Sequence, residues 1–418
     1  MALGRTSVIN LAGSALPLLV SIPAVGALAR LLDGERFSLV LLAWALVGFA
    51  GVFDLGLSRA VVRQVAVERN DPAALAETLC SAASAVAVLG SVAALLVILL
   101  RQPLLGALDI SPAVRSDAAT GLALAALSLP LLLPALVLQS HWDGVEDFVE
   151  ANLQRTFAGC LVPLLSLVCT WWQPDFSTPM AGLLAARALA LALALGRRDM
   201  FSRLRNARPR AACLVRLLRY GGWVTLSNTI SPLMNTLDRY LLGFVRGAAV
   251  VGYYAAPSDA ASKLLVVPVA VTRGLFPALV RAPDVANAAA LSREAHRLVA
   301  MYCIPLAVTG ALAAELVLQL WLGDRFAAAS ATALQLLMVG FLFGAFAQVP
   351  FTEVQARGRA DLSAWLHLLE LGPFVVTAWW LASKYGVNGA AAAWSLRNAA
   401  DLVLHSWAVG ALRRGSEK

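Results

Sequence analysis

Residues 78–100 read TLCSAASAVAVLGSVAALLVILL, with no charged side chain between Glu77 and Arg101. A helix rising 1.5 Å per residue crosses a hydrocarbon core of about 30 Å in roughly 20 residues, so this run has the length and apolarity of a membrane span. Segments 6–29, 118–140, 156–174, 220–237 and 326–352 pass the same test, and 37–53 and 298–314 fall just short of it. Segments 176–196, 247–280, 362–383 and 385–412 are interrupted only by isolated ionisable residues. The sequence therefore predicts an all-α, polytopic membrane protein with 12 transmembrane helices. Composition agrees. Of the 418 residues, 60% are hydrophobic and 14% charged, against about 25% charged in soluble domains. Mean hydropathy is +0.74. A soluble fold of this size cannot cover that much apolar surface, which excludes soluble enzymes, soluble nucleic-acid binders and disordered chains.

The net charge of +8 resembles a polyanion-binding signal until the basic residues are placed. With the first span leaving the cytoplasm, 21 Lys and Arg fall in inside loops and 7 outside. That bias puts both termini in the cytoplasm. The run from Arg197 to Arg219 is then a solvated connector beside the lipid surface. Trp171, Trp172, Trp321, Trp379 and Trp380 fall near outer span ends, where an aromatic belt belongs. Ala27-Leu28-Ala29 resembles a signal-peptidase site, but the preceding apolar stretch is long and contains Pro17 and Pro23, so a retained helix is expected. Segment 141–157 alternates Trp142, Val145, Phe148, Val149 and Leu153 with acidic residues, the pattern of a helix lying on the membrane surface. The five cysteines show no metal-binding spacing and no external disulfide framework, so neither a metal nor a cofactor is expected.

A shift of 218 residues lays spans one, three, four and six on spans seven, nine, ten and twelve. The first helix of each half carries a polar seam in matching places: Asn10, Ser14, Pro17 and Ser21 in one, and Asn228, Pro232, Asn235 and Arg239 in the other. Both seams step 4, 3, 4, which keeps them on one helical face. Two parallel six-helix bundles follow, at 1–196 and 220–418, joined by the basic linker 197–219. Matching seams suit a shared cavity.

A charge at the bilayer centre costs about 2.5 to 3.5 kcal/mol on insertion scales, so intramembrane charges mark cavities or partners. At 100° per residue Asp259, Lys263 and Arg273 fall on one face of span eight. Arg239, Lys263 and Arg273 would then form a cationic staircase from outside to inside, joined at the inner mouth by Arg59 and Arg63. Such a ladder suits an anionic group crossing the membrane, because each step replaces lost hydration with a charge-assisted hydrogen bond. Pairing offers the plainer alternative, since Asp259 and Lys263 are four residues apart and Asp238 precedes Arg239. Arg397, Asp401 and His405 form a second stripe with a structural reading. Arg187 and Glu370 stand alone in their spans. If an ion drives the cycle, Asp54, Asp259, Glu370 and Asp401 are the candidate carriers.

Phe53-Asp54-Leu55-Gly56-Leu57 leads to Arg59 and Arg63. Asp238-Arg239-Tyr240-Leu241-Leu242-Gly243 is followed by Val251-Gly252-Tyr253-Tyr254, Leu275-Phe276-Pro277 closes span eight, and Asn10 opens a Pro-containing helix ending in Ala29-Arg30-Leu31-Leu32. In these features the chain resembles the oligosaccharide (O-antigen) flippases of the multidrug, oligosaccharidyl-lipid and polysaccharide exporter superfamily, along essentially its whole length. The resemblance implies V-shaped lobes that move a polyprenyl-(pyro)phosphate-linked glycan between leaflets by alternating access for cell-surface polysaccharide assembly. It also implies cavity cations at the positions of Arg239, Lys263 and Arg273. The drug exporters of the superfamily usually carry an acid in the first helix, and 6–29 has none; peptidoglycan-precursor flippases generally have two more helices. A cation-coupled multidrug or metabolite antiporter is the second reading. A membrane-embedded glycan polymerase or ligase is the third, weakened because no outside loop is long enough to carry catalytic groups. Expected partners are the lipid-linked glycan, membrane lipids and other polysaccharide-assembly proteins, with no nucleic acid.

Overall fold

A computed structural model describes residues 2–49, 54–68, 71–145, 147–197, 200–282 and 284–416, with backbone alone at 2–15, 66, 148, 203, 219–233, 235, 277, 360, 415 and 416. Among the described residues the α-helices are, in order, α1 (Ala2–Leu31), α2 (Gly34–Phe49), α3 (Leu57–Val67), α4 (Pro72–Ala107), α5 (Pro112–Leu127), α6 (Leu129–Gly144), α7 (Phe148–Trp172), α8 (Ser177–Gly196), α9 (Met200–Asn206), α10 (Ala211–Arg246), α11 (Val251–Leu264), α12 (Val266–Val280), α13 (Val285–Leu312), α14 (Ala314–Leu322), α15 (Asp324–Ala356) and α16 (Ala360–Ser416). Among the described residues there is no β-strand.

Among the described residues, eight helical stretches are long and apolar enough to cross a membrane. The last of them, Asp361–Arg414, holds two expected spans, because Gly386 (φ 58, ψ −127) breaks α16 into two legs. The other three expected spans lie on α1, α2 and α10. Much of α4 turns bare hydrocarbon outward, with Val88, Val92, Leu95, Leu96 and Leu99 all about half exposed or more. Water would not tolerate such a patch, and lipid does. Trp171, Trp172, Trp379 and Trp380 are exposed too.

Sequence explains where helices begin and break. Asp71 caps α4 by accepting the N–H groups of Ala73 and Ala74, with Pro72 at the first turn. Asp147 caps α7 and Asp284 caps α13 in the same way. Pro268 has no N–H to return to the carbonyl of Leu264, and the span parts at Leu265 into α11 and α12.

The chain divides into two compact units, Met1–Thr229 and Ile230–Lys418. In the first, α4 and α6 bury Leu79, Val86, Leu133, Val137 and Trp142 together with Leu57, Val61 and Val65 of α3. Cys213 and Leu217 of the basic connector complete that core. Helix α8 lies close on α7 because residue 182 is glycine: a Cβ there would come within 2.4 Å of the Leu165 carbonyl oxygen. The surface helix expected at 141–157 is absent. Instead α6 runs on to Gly144 and α7 starts at Phe148, with Trp142 buried in the core and Val149, Leu153 and Phe157 exposed. In the second unit α15 packs along α16; Val354 of α15 is buried with Leu366, Ala408 and Val409 of α16, and Met234 of α10 with Phe374, Ala378 and Ala393 of α16.

Candidate functional site

The intramembrane charges of the second unit gather on α10, α11 and α16. Asp238 and Arg239 near the end of α10 are both buried. The Asp238 carboxylate accepts the backbone N–H of Arg239 at 2.8 Å and the hydroxyl of Tyr254 on α11. The guanidinium of Arg239 forms an ion pair with Asp259, also on α11. Lys263, half-buried and one turn further on, has Asp259 and Arg239 as its charged neighbours. Two cations thus share the Asp259 carboxylate, while Asp238 is occupied by Tyr254 and its own neighbour. Two cations stand against two acids, and an incoming anion can compete with Asp259 for the cations.

The one-face arithmetic for Arg273 does not carry through. The break at Leu265 separates α11 from α12, and Arg273 sits on α12, exposed, while Arg239 and Lys263 converge on Asp259. The three do not form a continuous ladder. Arg59 and Arg63 lie on the exposed side of α3, in the first unit, opposite buried Ala60, Val61, Gln64 and Val65. The side chains of Asn10, Ser14, Asn228 and Asn235 lie outside the described residues; their backbones are helical.

Asp54 is a helix cap. Leu55 (φ 48) and Gly56 (φ 70) take left-handed conformations, which turns the chain so that Asp54 accepts the backbone N–H of Ser58 at 3.1 and 3.2 Å. Burial pushes the Asp54 carboxyl above the ordinary carboxylate range, and the Ser58 hydrogen bonds partly offset this. The motif that carried the family resemblance is thus a folding signal at the start of α3.

Glu370 and Asp401 come together on the two legs of α16. The Oδ1 atom of Asp401 lies 3.3 Å from His367 Nε2 and 3.0 Å from His405 Nδ1. Phe351 of α15 packs against both imidazoles, its ring centroid 5.9 Å from His367 and 5.4 Å from His405. Glu370 has Asp401, Arg397 and His405 as charged neighbours, and Arg397 lies 5.8 Å over the Phe374 ring. A cavity of about 390 Å³ opens beside this group, with Glu370, Arg397 and Thr377 as its polar lining.

Sequence reading passed over three participants: Tyr254, which fixes Asp238; His367, which meets Asp401 from the other leg; and Glu353. The last is buried at the end of α15 and accepts Ser292 Oγ at 2.6 Å, Arg357 at 3.0 Å and Arg413 at 2.6 and 2.9 Å. The unread signal for His367 is its spacing of three residues from Glu370, on one helical face; Asp401 and His405 read as a stripe of their own, and only the fold brings the two pairs together.

The polysaccharide biosynthesis protein family matches residues 4–282. This chain belongs to the polysaccharide biosynthesis protein family. A curated relative from Shigella flexneri, named "Putative O-antigen transporter", is 31% identical over 409 residues, 97% of each chain. Among solved structures, an inward-facing multidrug resistance MATE family transporter of the MOP superfamily superposes with a TM-score of 0.81 at 15% identity, over 96% of this chain and 99% of its own. The lipid II flippase MurJ, in an inward closed conformation, gives 0.78 at 13% identity, over 97% and 87%. These two likenesses establish the fold that the chain shares with them.

Proposed function

We propose that this protein is a flippase. It moves a polyprenyl-(pyro)phosphate-linked oligosaccharide from the inner to the outer leaflet of a bacterial cytoplasmic membrane by alternating access, with both termini cytoplasmic, and serves cell-surface polysaccharide synthesis. The observation that carries the reading is the full-length kinship to a protein named as an O-antigen transporter.

The charges in the second unit give it a physical basis. A phosphate group cannot cross hydrocarbon unaided, and it presents several acceptor oxygens to a guanidinium. Arg239 is held by Asp259, a carboxylate it shares with Lys263. A phosphate arriving at this place exchanges one anion for another, so Arg239 is never left buried and unpaired, which would cost about 3 to 5 kcal/mol. The exchange is reversible, as a carrier requires. Outward movement of negative charge also runs down an inside-negative potential, which contributes about 2.3 kcal/mol per charge per 100 mV.

Arg59, Arg63 and Arg273 are exposed cations that can meet the headgroup on its way. Asn10, Ser14, Asn228 and Asn235 are proposed as polar lining, and Asp259, Glu370 and Asp401 as the acids through which an ion could act. Asp54, as a cap, is the weakest of that set. Other polysaccharide-assembly proteins are the expected partners.

Deletion of the gene tests the function. Cells that still make the lipid-linked glycan should accumulate it on the inner leaflet and lose the surface polymer, with restoration by the plasmid-borne gene. Surface polymer at the undeleted level would contradict the proposal.

A further inference from the structure

The two legs of α16 bring His367 and Glu370 from one side and Asp401 and His405 from the other into one buried cluster. We propose that these four residues form a site for a divalent transition metal, with Zn²⁺ the best chemical match. One ligand atom from each of His367, Asp401 and His405 lies within 4.8 Å of the others.

Lone pairs are in excess here. His405 is fully buried, and its Nδ1 lies 3.0 Å from the backbone carbonyl of Asp401. A carbonyl can only accept, so the proton sits on Nδ1 and the lone pair on Nε2. That Nε2 has no hydrogen-bond partner among the described residues. A histidine whose Nδ1–H is anchored on a carbonyl while Nε2 points elsewhere is the usual posture of a metal ligand. Glu370 is 6% exposed, and neither of its carboxylate oxygens has a hydrogen-bond partner among the described residues. Buried acceptors without donors are costly, and a cation bound among them would offset that cost.

The charges facing the cluster fit a divalent ion. Glu370 and Asp401 bring two negative charges; the nearby cation, Arg397, also has Asp238 of α10 as a neighbour. Two imidazoles and two carboxylates make a mixed nitrogen and oxygen set that suits Zn²⁺ or Co²⁺ and would disfavour Ca²⁺ or Mg²⁺. The cavity of about 390 Å³ lined by Glu370 gives an ion a way in. Because the ligands come from both sides of Gly386, a bound ion would clamp the two legs of α16 together.

The test uses the full-length, tag-free protein in lipid nanodiscs, stripped with a chelator and titrated with Co²⁺, whose ligand-field absorption reports its coordination. Saturation at one Co²⁺ per chain, displacement by Zn²⁺, and affinity at least about tenfold weaker in His405→Gln and in His367→Gln are expected. Zn²⁺ should raise the thermal midpoint of the wild-type protein and leave that of either variant unchanged. The two variants sit on different legs, so the result survives if one of them misfolds. Absence of a saturable Co²⁺ signal in the wild type overturns the proposal. Equal affinity in wild type and both variants overturns it as well, and marks the cluster as a hydrogen-bonded network only. Glycan transport enters neither readout, so failure here leaves the flippase reading standing.

Discussion

At the scale of single residues, the decisive feature is that Arg239 and Lys263 share Asp259. Replacing the acid should separate its two effects. Asp259→Asn leaves the Arg239 guanidinium buried without its counter-charge, so the ligand-free protein should unfold at lower temperature. The same change removes the anion that a phosphate must displace, and a short-chain polyprenyl pyrophosphate should bind about tenfold tighter, equivalent to about 1.4 kcal/mol. Calorimetric titration beside a thermal melt checks both, and weaker binding in the variant would count against anion exchange. Asp54 gives a prediction in pH. Burial raises its carboxyl above the usual range, so the folded protein holds that proton more tightly than the unfolded chain. The associated stability is present in acid and is lost as pH rises through the folded-state value. Asp54→Asn keeps an acceptor for the Ser58 N–H and removes the ionisation. It should melt higher than wild type at neutral pH, with the difference vanishing in acid; an equal or lower midpoint at neutral pH would show that the charged cap is favourable.

At the scale of helices, the sequence announced most elements and some of their breaks. Uncharged runs of sufficient length located the spans, because hydrocarbon thickness dictates helix length whatever the packing. Local chemistry limited the rest. Pro268 divides span eight, so a wheel drawn through Arg273 assumed a continuity that the backbone lacks. Segment 141–157 had the apolar period of a surface helix, yet Trp142 is claimed by the core around Val65 and Val137; periodicity tells that a face is apolar and not what covers it. The Glu353 cluster was illegible for another reason. Its members come from α13, α15 and α16, and no local pattern links Ser292, Glu353 and Arg413. It ties three helices at one end of the second unit. Glu353→Gln would leave Arg357 and Arg413 without their charge partner, and because both arginines are partly exposed the loss should be about 1 to 3 kcal/mol. A thermal melt checks it, and an unchanged midpoint would mean that the network is solvent-screened. Gly386→Ala meets no neighbour, so its cost should be only the strain of holding alanine at φ 58, ψ −127, outside the left-handed helical region, about 1 to 3 kcal/mol.

At the scale of the whole molecule, the charge bias of the loops predicts a topology with both termini cytoplasmic, and labelling can check it. A cysteine at Lys384 should react with a membrane-impermeant maleimide on intact spheroplasts, and one at Arg414 only after permeabilisation. The reverse pattern would invert the molecule and with it the direction of export. Family and fold were readable from the chain at this scale because they rest on many residues at once; the site was less so, because it depends on which few charges the fold brings within reach of each other. The account stands or falls on Arg239 and Lys263 holding the cargo's phosphate. The most direct measurement is surface-glycan export in a deletion strain carrying Arg239→Ala, Lys263→Ala or Arg239→Lys, with each variant shown to be inserted and folded. The two alanine variants should lose at least about tenfold in export and leave the lipid-linked glycan on the inner leaflet, while Arg239→Lys retains a substantial part. Export at the wild-type rate in both alanine variants would contradict it.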